Sequence, residues 1–192
     1  YCVQGRGQSN PHLPRQGASE IPEICLDYAY EGRDGEEPIT LLCARCPELD
    51  HYACTQVASK GANRYSTAFL VAWIKSLGYK RIVVRSDNEA ALLKLIDVTS
   101  QNLPAVEMVG NQSPEHDHQA NGAAEAAVRE CKGMIRSLRA LLEDKYQKRF
   151  AQGEPILSWI ARHASNCRNR YRLGSDGRSA ERRRTGRQWR KP

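Results

Sequence analysis

A single change of hydrophobic period along the chain most constrains its fold. Up to residue 58, short segments rich in β-branched and aromatic residues are separated by turns, which predicts an antiparallel meander of strands at 24–30, 39–46 and 52–58. Farther along, helical spacing of apolar residues alternates with strand-like runs. The predicted order there is helix 67–77, strand 81–87, helix 88–99, strand 106–109, helix 120–150 and a last helix from 153 to about 171.

The fourth predicted strand, 81–87, is nearly all apolar, so we expect it near the centre of the sheet. A helical crossover would return it parallel to the first strand. The predicted fold class is α/β: a mixed five-stranded sheet with strands 1–3 as the meander, strands 4 and 5 parallel to strand 1, and helices on both faces. We assign residues 1–20 to a linker, 21–172 to the core and 173–192 to a basic tail.

Three carboxylates stand where core elements begin or end. Asp27 interrupts the apolar run 24–30, Asp87 closes the fourth strand, and Glu125 lies in the first turns of the long helix. A buried carboxylate is costly unless it is paired or binds a metal. If the first and fourth strands are neighbours, Asp27 and Asp87 meet on adjacent strands, and the long helix brings Glu125 to the same edge. This predicts a divalent-metal site, and with it phosphoryl-transfer chemistry.

Two of these carboxylates also have an ordinary structural explanation. Asp87 precedes a predicted helix, where aspartate is a preferred N-cap. Glu125 alone could be a solvated helix charge, and Glu89 is interpreted as a first-turn glutamate favoured by the helix dipole. Asp27, in the middle of a strand, has little explanation of this kind.

The net charge of +7 is concentrated near the C-terminus. Residues 162–192 hold eleven Lys and Arg and two Asp and Glu, a net of +9, and the rest of the chain has a net of −2. Such an arginine-rich segment is typical of a nucleic-acid patch, and also of a solubilising, disordered end. No apolar stretch approaches the roughly 20 residues that span a bilayer, so no membrane partner is expected.

The cysteines show no framework spacing. Their number, seven, is odd, which is typical of reduced, intracellular thiols. Cys43 and Cys46 have the spacing of half a zinc site or of a redox pair. Because no second pair follows at ligand spacing, and because the segment has the pattern of a strand, we interpret them as small apolar strand residues.

Three motifs, in their order and spacing, resemble the catalytic core of retroviral and retrotransposon integrases, which has a ribonuclease-H-like fold. They are Leu-Asp-Tyr at 26–28, Ser-Asp-Asn-Glu at 86–89 and His-Gln-Ala-Asn-Gly-Ala-Ala-Glu at 118–125. The 37 residues between Asp87 and Glu125 are similar to the gap in that family. The resemblance extends over about residues 20–186, including the segment that follows the core in retrotransposon integrases.

The resemblance implies a DDE polynucleotidyl transferase from a retroelement polyprotein, which trims the 3′ ends of element DNA and joins them to target DNA. It implies two Mg²⁺ or Mn²⁺ ions, with Asp27 bound to both, Asp87 to one and Glu125 to the other. Carboxylate oxygens match such hard cations. It further implies DNA as partner, a homo-oligomer, and a nuclear location after a cytoplasmic pre-integration stage.

Six residues are predicted to contact DNA. Asn88, His118 and Asn121 lie within the motifs. Arg129, Lys132 and Arg136 follow Glu125 at positions that share one helix face, where a DNA backbone could leave the site.

These contacts have alternatives. His118 and its neighbour His116 could instead be residues of a flexible polar loop, and the basic stripe could be an ordinary solvated face. The whole domain could be a degenerate or domesticated nucleic-acid-binding domain that keeps the fold without activity. A ribonuclease-H-type nuclease is a third interpretation. Such a nuclease would have an additional acidic residue on the first helix, and residues 65–77 contain no Asp or Glu.

Overall fold

The computed structural model describes residues 21–112 and 122–187, except for the side chains of Asn111 and Gln112. Residues 1–20, assigned to a linker, and the loop residues His116, His118 and Asn121 lie outside the described residues. The elements are β1 Glu23–Glu31, β2 Ile39–Cys46, β3 His51–Val57, α1 Arg64–Leu77, β4 Arg81–Ser86, α2 Ala90–Gln101, β5 Glu107–Gln112, α3 Gly122–Tyr146, α4 Pro155–Tyr171 and α5 Ala180–Thr185.

The five strands form one mixed sheet in the order β3-β2-β1-β4-β5. β1 and β2, and β2 and β3, pair antiparallel, whereas β4 runs parallel to β1 and β5 parallel to β4. The predicted fold class is therefore confirmed, including the crossover through α1 that returns β4 to the centre of the sheet.

Side chains alternate between two cores because the period of a strand is two. On one face, Leu26 and Tyr28 of β1 pack with residues of α1 and α2. On the other face, Ala29 of β1 and Cys43 of β2 pack with residues of α3 and α4. Asp27, between Leu26 and Tyr28, therefore projects toward the α3 side of the sheet.

The observed helix starts correct two sequence predictions. α1 begins at Arg64, before the predicted position 67, because Asn63 and Ser66 form a capping box at its N-terminus. The N-cap of α2 is Glu89, which makes no side-chain capping bond. The alternative that Asp87 is this N-cap is therefore wrong.

Two other boundaries also differ. β5 continues to Gln112, through residues predicted as loop, because Arg85 and Ser86 of β4 extend the ladder that far. α3 ends at Tyr146 instead of near 150, and Phe150 turns back into the core, where the Arg139 side chain donates to its carbonyl at 2.6 Å.

The helices after α3 cover the sheet edge formed by β3. The side-chain amide of Asn169 on α4 accepts from the backbone N–H of Tyr52 at 2.8 Å and donates to its carbonyl at 2.7 Å. These bonds use strand groups that an open edge would leave unpaired. Arg168 on α4 and Arg183 on α5 both form ion pairs with Asp50, in the turn before β3.

Candidate active site

Asp27 and Asp87 come together because of the register between β1 and β4. The parallel pairing runs from Glu23 opposite Val83 to Cys25 opposite Arg85. Two residues farther along each strand are Asp27 and Asp87. β4 ends at Ser86, so on this side the rest of β1 is left without a paired strand among the described residues. The two carboxylates therefore stand side by side where the sheet opens.

The Asp27 carboxyl is half-buried, and its pKa is raised to about 6. Burial is the largest cause, followed by the negative charge of Asp87, and Glu89 acts in the same direction. The backbone N–H of Tyr28, which donates to the carboxylate, and the charge of Lys60 oppose the increase. Asp27 and Asp87 are therefore close enough for their negative charges to repel each other.

Lys60 and Glu89 border the acidic pair and were not identified as site residues from the sequence. The Lys60 ammonium lies 2.8 Å from one Glu89 carboxylate oxygen and 2.9 Å from the other. It also lies over the rings of Tyr28 and Tyr30, at 5.4 and 5.3 Å from their centroids. The backbone N–H of Gly61 donates to the Tyr28 hydroxyl at 2.9 Å, which fixes the loop that carries Lys60. The cation nearest to the acidic pair is thus already bound by Glu89.

Glu125 lies in the first turn of α3 and is exposed. α3 packs on the sheet with Cys131 against Cys43, which is the β2 partner of Asp27. Glu125 precedes Cys131 by six residues, which is about 9 Å along the helix axis. Glu125 is not among the charges that shift the pKa of Asp27.

The three carboxylates do not form a tight group in this structure. Among the described residues, Cys43, Cys54 and Cys131 are the only three potential metal ligands whose donor atoms all lie within 4.8 Å of one another. Asp27 and Asp87 still suit a divalent cation, because their oxygens are hard donors. The charge of Asp87 also contributes to the raised pKa of Asp27, after burial. The structure therefore sets Asp27 beside Asp87 through the strand register, and the three carboxylates do not all converge within 4.8 Å.

The basic stripe on α3 is partly occupied by an internal carboxylate. Glu31, a buried residue at the end of β1, accepts from Arg136 at 2.8 and 3.0 Å and lies 3.6 Å from the Lys132 ammonium. Arg129 is exposed and has no ion-pair partner in the described part of the chain. Asn88, next to Asp87, is also exposed. The stripe thus contains one available cation and two that Glu31 holds against the sheet.

Comparisons of the sequence with protein families and with curated proteins find no match. Two solved structures share its architecture. A chain of the simian T-cell lymphotropic virus intasome, in complex with the PP2A regulatory subunit B56 gamma, matches 92% of this chain with a TM-score of 0.67 and 11% identity. The catalytic core domain of BIV integrase matches 83% with a TM-score of 0.54 and 13% identity. This chain has the fold of a retroviral integrase catalytic core.

The extent of the match differs between the two structures. The chain spans 60% of the matched intasome chain but 90% of the BIV integrase core. The shared fold therefore extends over most of the BIV catalytic core and over part of the intasome chain. No described helix is long and apolar enough to cross a membrane.

Proposed function

We propose that this domain is an integrase catalytic core, a DDE polynucleotidyl transferase that processes the 3′ ends of retroelement DNA and joins them to target DNA. The observation that carries the proposal is the register that sets Asp27 beside Asp87 where β4 ends along β1. In an integrase-type fold, this pairing supplies the acidic centre that phosphoryl transfer requires.

Asp27, Asp87 and Glu125 would hold two Mg²⁺ or Mn²⁺ ions, with Asp27 bound to both. When bound, such ions supply activation of a water or a DNA 3′-hydroxyl and stabilisation of the leaving 3′-oxygen. Glu125 would complete the ligand set from the first turn of α3. Because the three carboxylates do not converge within 4.8 Å, we propose that the first turns of α3 move toward the aspartates when the site assembles.

Protonation of Asp27 would control the charge of the site. Its pKa of about 6 leaves the carboxyl ionised at neutral pH and protonated in mild acid. A protonated Asp27 offers one fewer anionic oxygen to a cation, so the affinity of the metal-free site for a cation would decline as pH falls through about 6. Lys60 would stay bound to Glu89, which keeps this ammonium from neutralising the acidic pair.

DNA would approach along α3. Arg129 is the proposed primary phosphate contact on this helix. Lys132 and Arg136 would contact phosphate by releasing the Glu31 carboxylate and binding a phosphate group in its place. Asn88, next to the acidic pair, and His118 and Asn121 are proposed to contact DNA as well. Element ends and target DNA would be the partners, bound by a homo-oligomer in the nucleus after a cytoplasmic stage.

A nucleic-acid-binding domain without catalytic activity is the second candidate. It is favoured by one observation: the three carboxylates do not converge within 4.8 Å. Such a domain would bind DNA with a salt-dependent affinity but would not cleave or join strands.

A strand-transfer assay on short DNA duplexes with Mn²⁺ distinguishes the two candidates. We expect end trimming and joining by the wild type, alone or with its natural flanking regions, and a loss of about 10²-fold or more in Asp27→Asn, Asp87→Asn and Glu125→Gln. Asp97→Asn and Glu107→Gln alter exposed carboxylates on α2 and β5 and serve as matched controls. A wild type that binds DNA but gives no cleaved or joined product supports the second candidate instead.

A further inference from the structure

Three buried thiols meet in the core between the sheet and α3. Cys43 on β2 and Cys54 on β3 are directly opposite each other in the antiparallel register, and their sulfurs are 3.7 Å apart. Cys131 on α3 closes the group, in which every pair of sulfurs lies within 4.8 Å. The exposed fractions of the three residues are 1%, 0% and 3%.

This spacing matches a common metal ligand set. Three sulfurs bound at roughly 2.3 Å to one central ion are about 4 Å apart. The sulfur separation of 3.7 Å between Cys43 and Cys54 is close to that value. An ion could therefore bind with only small movements of side chains that already face one another.

The surroundings restrict the ion to three ligands. Among the described residues, no other His, Cys, Asp or Glu donor atom joins the group within 4.8 Å. The group belongs to a hydrophobic cluster that includes Leu41, Ala127, Ile160, Ala161 and Ala164. The three thiols are almost wholly removed from solvent.

A buried positive charge lies on the same face of the sheet. Arg168 on α4 is 7% exposed, and its guanidinium stacks on the Tyr52 ring at 3.9 Å from the centroid. Its Nε, within 4 Å of a Glu130 oxygen, has no hydrogen-bond partner among the described residues. The charge of Arg168 acts on Cys131 and would stabilise a thiolate there.

We propose that Cys43, Cys54 and Cys131 form a three-sulfur site for a soft, thiophilic metal ion, with Cu(I) as the preferred ion. Soft thiolate ligands select Cu(I) and Zn²⁺ over hard cations, and Zn²⁺ in structural sites almost always takes a fourth ligand that this core does not offer. Each thiol that binds the ion as thiolate releases its proton. The site is distinct from the carboxylates and independent of the proposed transferase activity.

Binding would connect three elements of the domain. An ion held by Cys131 ties α3 to β2 and β3 at a point six residues after Glu125. The bound chain is therefore expected to unfold at a higher temperature than the metal-free chain, because a ligand that binds only the folded state stabilises it.

The test is anaerobic loading of the reduced full chain with Cu(I), followed by desalting against a Cu(I) chelator. We expect one retained ion per chain, three sulfur neighbours in the X-ray absorption spectrum, and a rise in unfolding temperature. Replacing Cys43, Cys54 or Cys131 by alanine should remove the retained ion. Cys46→Ala is the matched control, because Cys46 is buried on the same strand but in the opposite core, and it should keep the ion.

Three results would overturn the proposal: no chelator-resistant copper, copper retained equally by the three alanine variants, or fewer than three sulfur neighbours. Zn²⁺ retained as tightly as Cu(I) would contradict the three-ligand assignment. If an alanine variant does not fold, the absorption spectrum of the loaded wild type decides, since it reports the number of sulfur ligands without any substitution.

Discussion

Asp27 is the residue on which the proposed chemistry of this domain depends most. It lies in the middle of a central strand, faces the α3 side of the sheet, and is level with Asp87, which directly follows the neighbouring strand β4. Burial and the neighbouring charge raise its pKa to about 6. In the absence of a metal, the ionised carboxylate therefore destabilises the folded state, as expected for a residue of the proposed cation-binding centre.

Asp27→Asn should stabilise the metal-free chain at neutral pH. The folded pKa is raised above the unfolded value of 3.8, so the favourable contribution of protonated Asp27 is complete below pH 3.8 and is lost as pH rises through about 6. The variant avoids that loss, and after allowance for solvent screening its free energy of unfolding should exceed that of the wild type by on the order of 1 kcal/mol at pH about 7.5.

Urea unfolding at several pH values, with a chelator present, measures this difference. It should shrink to zero as pH falls below about 4. Asp34→Asn, in the exposed turn between β1 and β2, is the control and should show no such dependence. An Asp27→Asn variant less stable than the wild type at neutral pH would show that the carboxylate is paired and not repelled.

At the scale of elements, α3 has three distinct parts. Its start carries Glu125, its middle is held to β1 through Glu31, and its end is fixed by Glu143. The Glu143 carboxylate accepts from Arg33 in the β1–β2 turn, from Arg139 one turn earlier on α3, and from the backbone N–H of residue 150 at 3.0 Å. The end of the helix is thus well fixed by ion pairs and hydrogen bonds, whereas the described contacts of its start include the buried side chains of Ala124 and Ala127.

Glu143→Gln should weaken the attachment of α3. The pKa of Glu143 is lowered to about 2, first by the hydrogen bond from Arg33, so its contribution is present above the unfolded value of 4.5 and is lost as pH falls toward 2. We expect a loss of roughly 1 kcal/mol in unfolding free energy at neutral pH. Thermal unfolding measures this loss. The control is Glu37→Gln, because Glu37 is an exposed glutamate in the β1–β2 turn. Equal stabilities of the two variants would exclude the attachment.

Arg129→Ala should reduce the salt dependence of DNA binding. One lost phosphate contact lowers the slope of log affinity against log salt by about 0.9. The control is Arg81→Ala. It removes an arginine of β4 that is paired with Glu107 on the edge strand β5. An unchanged slope for Arg129→Ala, measured by fluorescence anisotropy, would remove α3 from the DNA path.

The elements differ in how far the sequence predicts them. Strand and helix order follows from local periodicity, and the pairing of Asp27 with Asp87 follows from the crossover rule, so both could be predicted. The Lys60–Glu89 pair and the three-cysteine group could not, because each joins residues from separate elements whose sequence context is ordinary. The position of Glu125 relative to Asp27 depends on how far α3 slides along the sheet, which periodicity does not determine.

For the whole molecule, the basic C-terminal segment has a structural role that composition alone did not reveal. Arg168 and Arg183 bind Asp50, Arg172 binds Glu130, and Arg184 binds Glu181. The two pairs with Asp50 attach α4 and α5 to the turn before β3, the Glu130 pair joins the end of α4 to α3, and the Glu181 pair lies within α5. Four of the eleven basic residues in 162–192 form these ion pairs, so part of the positive charge of this segment holds the domain together.

His51 should make the stability of the whole domain sensitive to acid. It is buried where β3, α1, α4 and α5 meet, and its ring accepts from the Trp73 indole at 3.1 Å. Burial, and then the charge of Arg184, lowers its pKa to about 4. Its contribution is therefore present above the unfolded value of 6.5 and is lost as pH falls toward 4, by on the order of 3 kcal/mol. In urea unfolding, the His51→Gln variant should lose less stability than the wild type as pH falls from 6.5 toward 4. The same pH dependence of unfolding free energy in both proteins would contradict this role of His51.

The central claim is that Asp27, Asp87 and Glu125 form a metal site in an integrase-type core. Anomalous X-ray diffraction from crystals of the chain grown with Mn²⁺ and a DNA end tests it most directly. The account predicts manganese peaks in contact with Asp27 and Asp87, with Glu125 drawn in as the remaining ligand. Well-ordered DNA bound at this edge, with no manganese at Asp27, would contradict it.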